Sequence, residues 1–293
     1  MTNKDHPEED TSPLLDSIMY TEYQSLIGML QWLVTLCRID ICYAVSSLSR
    51  FNATPREGHF SRVLRIWGYL KKYPHRALKI DNGKFESLVD PWEPIVMDFA
   101  DQYSYASEEI DKQFPTPLGD ELEVHILFDC DHAHDKITGR SISGVIVCVC
   151  NTPIIWKSKR QGAVQTSTYG AELCSMGAAA EEAILIRYML RSFGIKVSKP
   201  CTMLGDNEAT IVNASVASSP LSKKHVALSY HFIRENSAVG TICPAKISGK
   251  DNFADLLTKP LEKNTFMKHT GSVLSLEANT LGSEENQMSK NYP

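Results

Sequence analysis

Val124-His125-Ile126-Leu127-Phe128-Asp129-Cys130-Asp131 decides how the chain must fold. Val124 to Phe128 has the apolar, β-branched and aromatic content of a buried strand. Asp129 ends that strand, and Asp131 follows two residues later. Side chains alternate along a strand, so the two carboxylates share one face. Downstream, Ser143 to Cys150 reads as a β-branched strand, and Ile154 to Lys157 as its hairpin partner across Asn151–Pro153. The period then lengthens. An amphipathic helix runs from Gly170 to Phe193 and stops at Gly194, a residue suited to a helix C-terminus. Cys201 to Gly205 reads as a strand, Asn207 to Ala214 as a helix, and His225 to Val239 as another helix ending at Gly240. A strand, Ile242 to Ile247, precedes a final helix from Asn252 to Thr258. The order β-β-β-α-β-α-α-β-α predicts an α/β domain over residues 123–274.

Upstream the pattern is helical over residues 20–82. Leu26, Leu30, Trp32, Leu33 and Leu36 are expected on one buried helix face. A second apolar stretch, Ile39 to Phe51, follows the Arg38–Asp40 break. Pro55 opens a third helix, with Val63, Leu64, Ile66, Trp67 and Leu70 expected to face inward. Residues 83–122 read as a connector, punctuated by Pro91, Pro94, Pro115 and Pro117. The acidic first segment, 1–19, and the polar tail, 275–293, are expected to be flexible.

Of 293 residues, 43% are hydrophobic and 22% charged, so a sizeable core can form. The net charge of −5 argues against a bulk nucleic-acid binder but not against an enzyme that gathers carboxylates around metal ions. The 8 cysteines form no C-x-x-C pair, which implies free thiols in a reducing compartment. No apolar run reaches the ~20 residues that cross a bilayer. The expected setting is intracellular, cytoplasmic or nuclear, with no membrane partner and no small-molecule cofactor.

Four acids fall at strand ends or on adjoining helices: Asp129, Glu172, Asp206 and Asp255. Singly, each could be a helix cap or a solvated turn. Together they suit phosphodiester hydrolysis, in which several carboxylates hold two divalent ions about 4 Å apart. Mg²⁺ prefers such oxygen ligands.

Three further stretches are distinctive: Ser167-Thr168-Tyr169-Gly170-Ala171-Glu172; Gly205-Asp206-Asn207; and Tyr230-His231-Phe232-Ile233-Arg234-Glu235 followed by Ala254-Asp255-Leu256-Leu257-Thr258-Lys259-Pro260. They resemble the ribonuclease H portion of copia-type retrotransposon polyproteins. The resemblance implies a ribonuclease H-like mixed five-stranded sheet flanked by helices. It also implies an Mg²⁺-dependent endonuclease that cuts the RNA strand of RNA/DNA hybrids, with Mn²⁺ able to substitute. By position, Asp129, Glu172, Asp206 and Asp255 would be the catalytic, metal-holding acids, with Asp131 the alternative first acid. The histidine that many ribonucleases H carry before the last aspartate has no counterpart between Pro244 and Asp251.

Tyr23-Gln24-Ser25-Leu26-Ile27-Gly28, Arg38-Ile39-Asp40-Ile41-Cys42-Tyr43-Ala44-Val45 and Leu48-Ser49-Arg50-Phe51 resemble the thumb-like end of the same family's reverse transcriptase. No Tyr-x-Asp-Asp motif occurs, so polymerase activity is not expected, and the chain reads as the tail of a polyprotein that could partner an intact element polymerase. Lys157, Lys159, Arg160, His231 and Arg234 are the candidate nucleic-acid contacts, suited to phosphates and duplex shape rather than base edges. The alternative is a non-catalytic nucleic-acid-binding relic without a polymerase palm. An integrase would need its acids in the order Asp, Asp, Glu, which this chain does not have. An aspartic protease would need an Asp-Thr/Ser-Gly motif, also missing.

Overall fold

The computed structural model describes residues 6–83, 85, 93–94, 102–216 and 226–275. Helix α1 (Ser17–Leu36) starts at Asp16, whose carboxylate accepts hydrogen bonds from the Ile18 and Met19 amides. That cap satisfies donors with no partner inside the helix. Its buried stripe is Tyr23, Ile27 and Leu30. Trp32 and Leu36, expected on that face, are 64% and 54% exposed. The reason is angular: two residues beyond Leu30 is about 200° around the helix. Leu64 points outward for the same reason, one residue round from the buried Val63.

Helices α2 (Cys42–Ser49) and α3 (Glu57–Lys72) close a small core of Tyr23, Ile27, Leu30, Val45, Leu48 and Val63, among others. The break before α2 is held by a buried pair, Arg38 donating through Nε and Nη2 to both oxygens of Asp40 (2.9 and 2.8 Å). Residues 6–16 do not fit the expectation of a loose N-terminus. Asp10 pairs with Arg62 at 2.6 Å, His59 Nε2 lies 2.8 Å from the Pro7 carbonyl, and Glu8 accepts from the Lys136 amide. Asp10 and Glu8, two of the acids that suggested a solvated segment, pair with arginines distant in sequence. The expected tail lies outside the described residues beyond Ser275, as does His225.

Short strands β1 (Ala77–Leu78) and β2 (Glu93–Pro94) precede the main ones. These are β3 (Val124–Asp131), β4 (Ile142–Val149), β5 (Thr152–Arg160), β6 (Cys201–Gly205) and β7 (Ile242–Lys246). The sheet runs β2-β7-β6-β3-β4-β5. Strands β3, β4 and β5 are antiparallel neighbours, whereas β6 and β7 run parallel to β3. The five main strands form the expected mixed sheet, with β2 adding an antiparallel edge pair to β7. The β4–β5 turn is tighter than expected, because Thr152 already pairs with Val149. Cys150 takes φ +51° to close it.

One face of the sheet is covered by α4 (Thr168–Ser192), α5 (Glu208–Ser215) and α6 (Ala227–Ala238). Val124, Ile126, Phe128, Val145 and Val147 meet Leu173, Met176 and Ile233 there. The opposite face carries Leu127, Ile146, Cys148 and Leu204, packed on Phe253, Leu256 and Leu257. Those last three belong to a 3-10 turn, Phe253–Leu257, where an α-helix was expected. Ile39 and Cys42 from the helical segment enter the same core. Helix α7 (Lys263–Val273), not foreseen, leads to β8 (Leu274–Ser275), which pairs with β1.

Part of the expected connector is strapped to the sheet domain. Glu108 takes bidentate hydrogen bonds from both Arg187 and Arg191. All 8 cysteines are unpaired. Among the described residues, no helix is long and apolar enough to cross a membrane.

Candidate active site

Asp129 lies near the end of β3, on the face that meets the 3-10 turn. Its cross-strand partner is Gly144. A Cβ at Gly144 would sit 2.9 Å from the Ala254 carbonyl and from the Leu257 Cβ. Only glycine lets the turn lie directly on the strand, and that turn carries Asp255. Asn252 fixes it from both ends. Its amide donates to the Phe128 carbonyl at 3.0 Å, and its side-chain oxygen accepts from the Ala254 amide.

Glu172 comes from α4. The helix begins at Thr168, capped by Ser167, so Glu172 stands in the second turn rather than the first. Ser175, one turn on, donates to the Asp129 carbonyl at 2.7 Å and ties helix to strand. Asp206 follows β6. It does not cap the next helix, since Asn207 does so by accepting from the Thr210 amide. Asp206 is therefore available to the site.

Oxygens of Asp129, Glu172 and Asp206 lie within 4.8 Å of one another. Asp255 joins them through a shared cation: the Lys259 ammonium is 2.8 Å from Asp255 Oδ1 and 3.5 Å from Asp129 Oδ2. All four candidate acids thus converge. Burial, followed by repulsion from Asp129 and Asp206, pushes the Glu172 carboxyl up to about 9. Burial and Asp129 push Asp255 up to about 7, and burial raises Asp206 as well. Like charges in a poorly solvated pocket favour the protonated acid, and only added positive charge reverses that. Several buried, mutually repelling oxygen donors fit a hard divalent cation.

Asp131, the alternative first acid, is engaged elsewhere. The His134 ring bonds it through Nδ1 at 2.6 Å, and His134 Nε2 lies 2.7 Å from the Tyr43 hydroxyl. The residues expected to touch nucleic acid lie on β5 and α6 in unlike surroundings. Arg234 is 1% exposed, and its guanidinium donates to the Asn213 and Val216 carbonyls and to Gln102. It braces α6 against neighbouring loops and does not face a ligand, which corrects its assignment as a phosphate contact. Arg160 is held by Asp135 at 2.6 Å, and Lys157 pairs with Glu182 on α4. His231 is exposed and within 2.9 Å of the Tyr103 hydroxyl. Lys159 is exposed on β5, opposite Ser143. Of these five, Arg234 is the one withdrawn from the surface.

Two site residues escaped the sequence reading. Thr258 donates its hydroxyl to Asp129 Oδ2, and Lys259 bridges two of the acids. The signal was present as an i, i+4 acid–base spacing between Asp255 and Lys259.

The chain aligns with the retrovirus-related Pol polyprotein from transposon RE1 of Arabidopsis thaliana, 29% identical over 253 residues. That covers 86% of this chain and 15% of the relative. The corresponding polyprotein from transposon TNT 1-94 of Nicotiana tabacum is 25% identical over 83% of this chain and 16% of its own length. The chain is a relative of copia-type retrotransposon Pol polyproteins. It spans about 15% of the length of the curated relatives it matches. No protein-family model matches it. Among solved structures, the N-terminal RNase H domain of Rv2228c from Mycobacterium tuberculosis superposes with a TM-score of 0.38 and 13% identity, over 52% of this chain and 99% of that one. LC11-RNase H1 in complex with an RNA/DNA hybrid gives 0.38 and 14%, over 46% and 94%.

Proposed function

We propose that this chain is a ribonuclease H that hydrolyses the RNA strand of RNA/DNA hybrids with the help of divalent cations. The observation that carries the reading is the convergence of Asp129, Glu172, Asp206 and Asp255 from four separate places in the chain into one cluster, with Asp129 and Glu172 buried and Asp206 and Asp255 half-buried. The relatives' description as Pol polyproteins supports the same reading.

Asp129, Glu172, Asp206 and Asp255 would hold Mg²⁺, with Mn²⁺ as a substitute. When bound, such ions lower the pKa of a water nucleophile and offset charge on the leaving oxygen. The chain's own groups do the positioning. Thr258 and Ser175 fix the Asp129 side chain and backbone respectively, and Asn252 fixes the turn that carries Asp255. Burial raises the Glu172 and Asp255 carboxyls, so a bound divalent ion would favour their ionised forms and release protons. The helical segment, 20–82, would be the thumb-like part of an ancestral polymerase and the domain 123–274 the nuclease, joined by the connector 83–122.

The test is cleavage of an end-labelled RNA strand annealed to DNA, with Mg²⁺ or Mn²⁺. The folded protein should cut the hybrid and spare single-stranded RNA, and Asp129→Asn and Asp206→Asn should each abolish cutting. A folded protein that binds the hybrid but leaves it intact with both ions would instead be a binding relic.

A further inference from the structure

Lys259 is the one cation within salt-bridge distance of the cluster among the described residues, and it reaches two of the four acids. Its ammonium lies 2.8 Å from Asp255 and 3.5 Å from Asp129, at separations where a positive charge offsets carboxylate repulsion. Its side chain is 35% exposed, so the ammonium also borders solvent. It also lines a groove of about 630 Å³ between the helical segment and the C-terminal turn, walled by Tyr43, Tyr69, Leu261 and Phe266. Lysine suits such a place: a compact ammonium on four flexible carbons can leave one partner for water without dismantling the fold. The 3-10 turn itself is anchored independently by Asn252 and Thr258, so the backbone does not depend on where the ammonium sits.

We propose that Lys259 is a resident counter-cation of the carboxylate cluster, which a divalent ion displaces into the adjoining groove. The inference rests on the nuclease reading only in taking the cluster as a divalent-ion site. It adds that the ion competes with a side chain of the protein itself. Lys259 would then set how much free Mg²⁺ the site needs, while holding the acids together in the absence of an ion.

Titration calorimetry with Mn²⁺ tests this on the full chain, comparing the native protein with Lys259→Met, Lys259→Arg and Asp206→Asn. Lys259→Met should bind Mn²⁺ about tenfold more tightly, within the usual range for coupled sites. Its melting temperature without ion should fall, and its gain on adding Mn²⁺ should exceed the native one. Lys259→Arg keeps the charge and should stay near the native affinity. A crystal structure with Mn²⁺ should show the Lys259 ammonium beyond hydrogen-bond reach of Asp129 and Asp255. Unchanged or weaker Mn²⁺ binding by a folded Lys259→Met, or a bound ion with Lys259 unmoved, overturns the proposal while leaving the nuclease reading intact. Binding by none of the proteins overturns both.

Discussion

The two faces of the sheet are built on different terms. On one, Val124, Ile126, Phe128 and Val147 meet Leu173, Met176 and Ile233, all from the region after residue 123. On the other, Leu127, Ile146 and Leu204 share their core with Ile39 and Cys42, contributed more than eighty positions earlier in the chain. Asp129, on β3, turns toward this second face, where Thr258 and Lys259 meet it. Trp156 donates to the Val34 carbonyl and Ser46 to the Ser158 carbonyl, so backbone polar groups at the seam are satisfied across it. The sheet domain thus lends the helical segment a wall of its core. The first face could be completed by the sheet domain alone, but the second could not.

The largest expected effects test that difference directly. Met176→Ala empties a fully buried site on the first face and should cost about 2–5 kcal/mol in denaturant unfolding. Ile39→Ala removes a fully buried side chain from the shared face and should cost a comparable or slightly smaller amount, about 2–4 kcal/mol. Both variants should unfold in one transition when near-ultraviolet and far-ultraviolet signals are followed together. Two separated transitions in Ile39→Ala would mean that the helical segment is an independent unit and that the shared core is incidental.

The next effect concerns the acids on the second face. Burial and neighbouring carboxylates raise Glu172 to about 9 and Asp255 to about 7. Without a divalent ion, the fold therefore binds more protons than the unfolded chain from the ordinary carboxylate range upward. These two groups favour folding at low pH and oppose it as pH rises through 7 and then 9. A divalent ion needs both ionised, so the sign for binding is opposite. Mg²⁺ affinity should climb between pH 6 and 9, by up to about tenfold per pH unit for each proton released. Calorimetry in buffers of different ionisation enthalpy would count those protons. A flat profile would show that the ion binds away from Glu172.

Much of the first face was legible in the sequence, because β3, β4 and β6 bury both sides and the helices keep a regular period. The acids were legible too, since a carboxylate at the end of an apolar strand stands out. The second face was not. Ile39 and Cys42 look like ordinary residues of a small helical core, and nothing local shows that they cross to a sheet. Arg234 reads as a surface cation from its charge, and only the fold reveals the carbonyls that satisfy it. Asp129 needs Thr258 and Lys259, whose partnership joins positions 129 residues or more apart. Gly144 is another such case, required by a turn more than a hundred residues downstream.

The smallest effect probes the polar thread across the seam. The Tyr43 hydroxyl on α2 is hydrogen-bonded to His134 Nε2, and His134 Nδ1 to Asp131, two residues beyond Asp129 on the same strand face. This contact ties Asp131 to the helical segment. Tyr43→Phe removes one buried hydrogen bond and should cost about 1 kcal/mol of stability. If Asp129 is the first acid of the site, Tyr43→Phe and Asp131→Asn should both leave Mn²⁺ affinity within about twofold of native, a change under ~0.5 kcal/mol. A tenfold loss of Mn²⁺ affinity in Asp131→Asn, echoed in part by Tyr43→Phe, would move the ligand role to Asp131. The helical segment would then orient a metal ligand as well as complete the core.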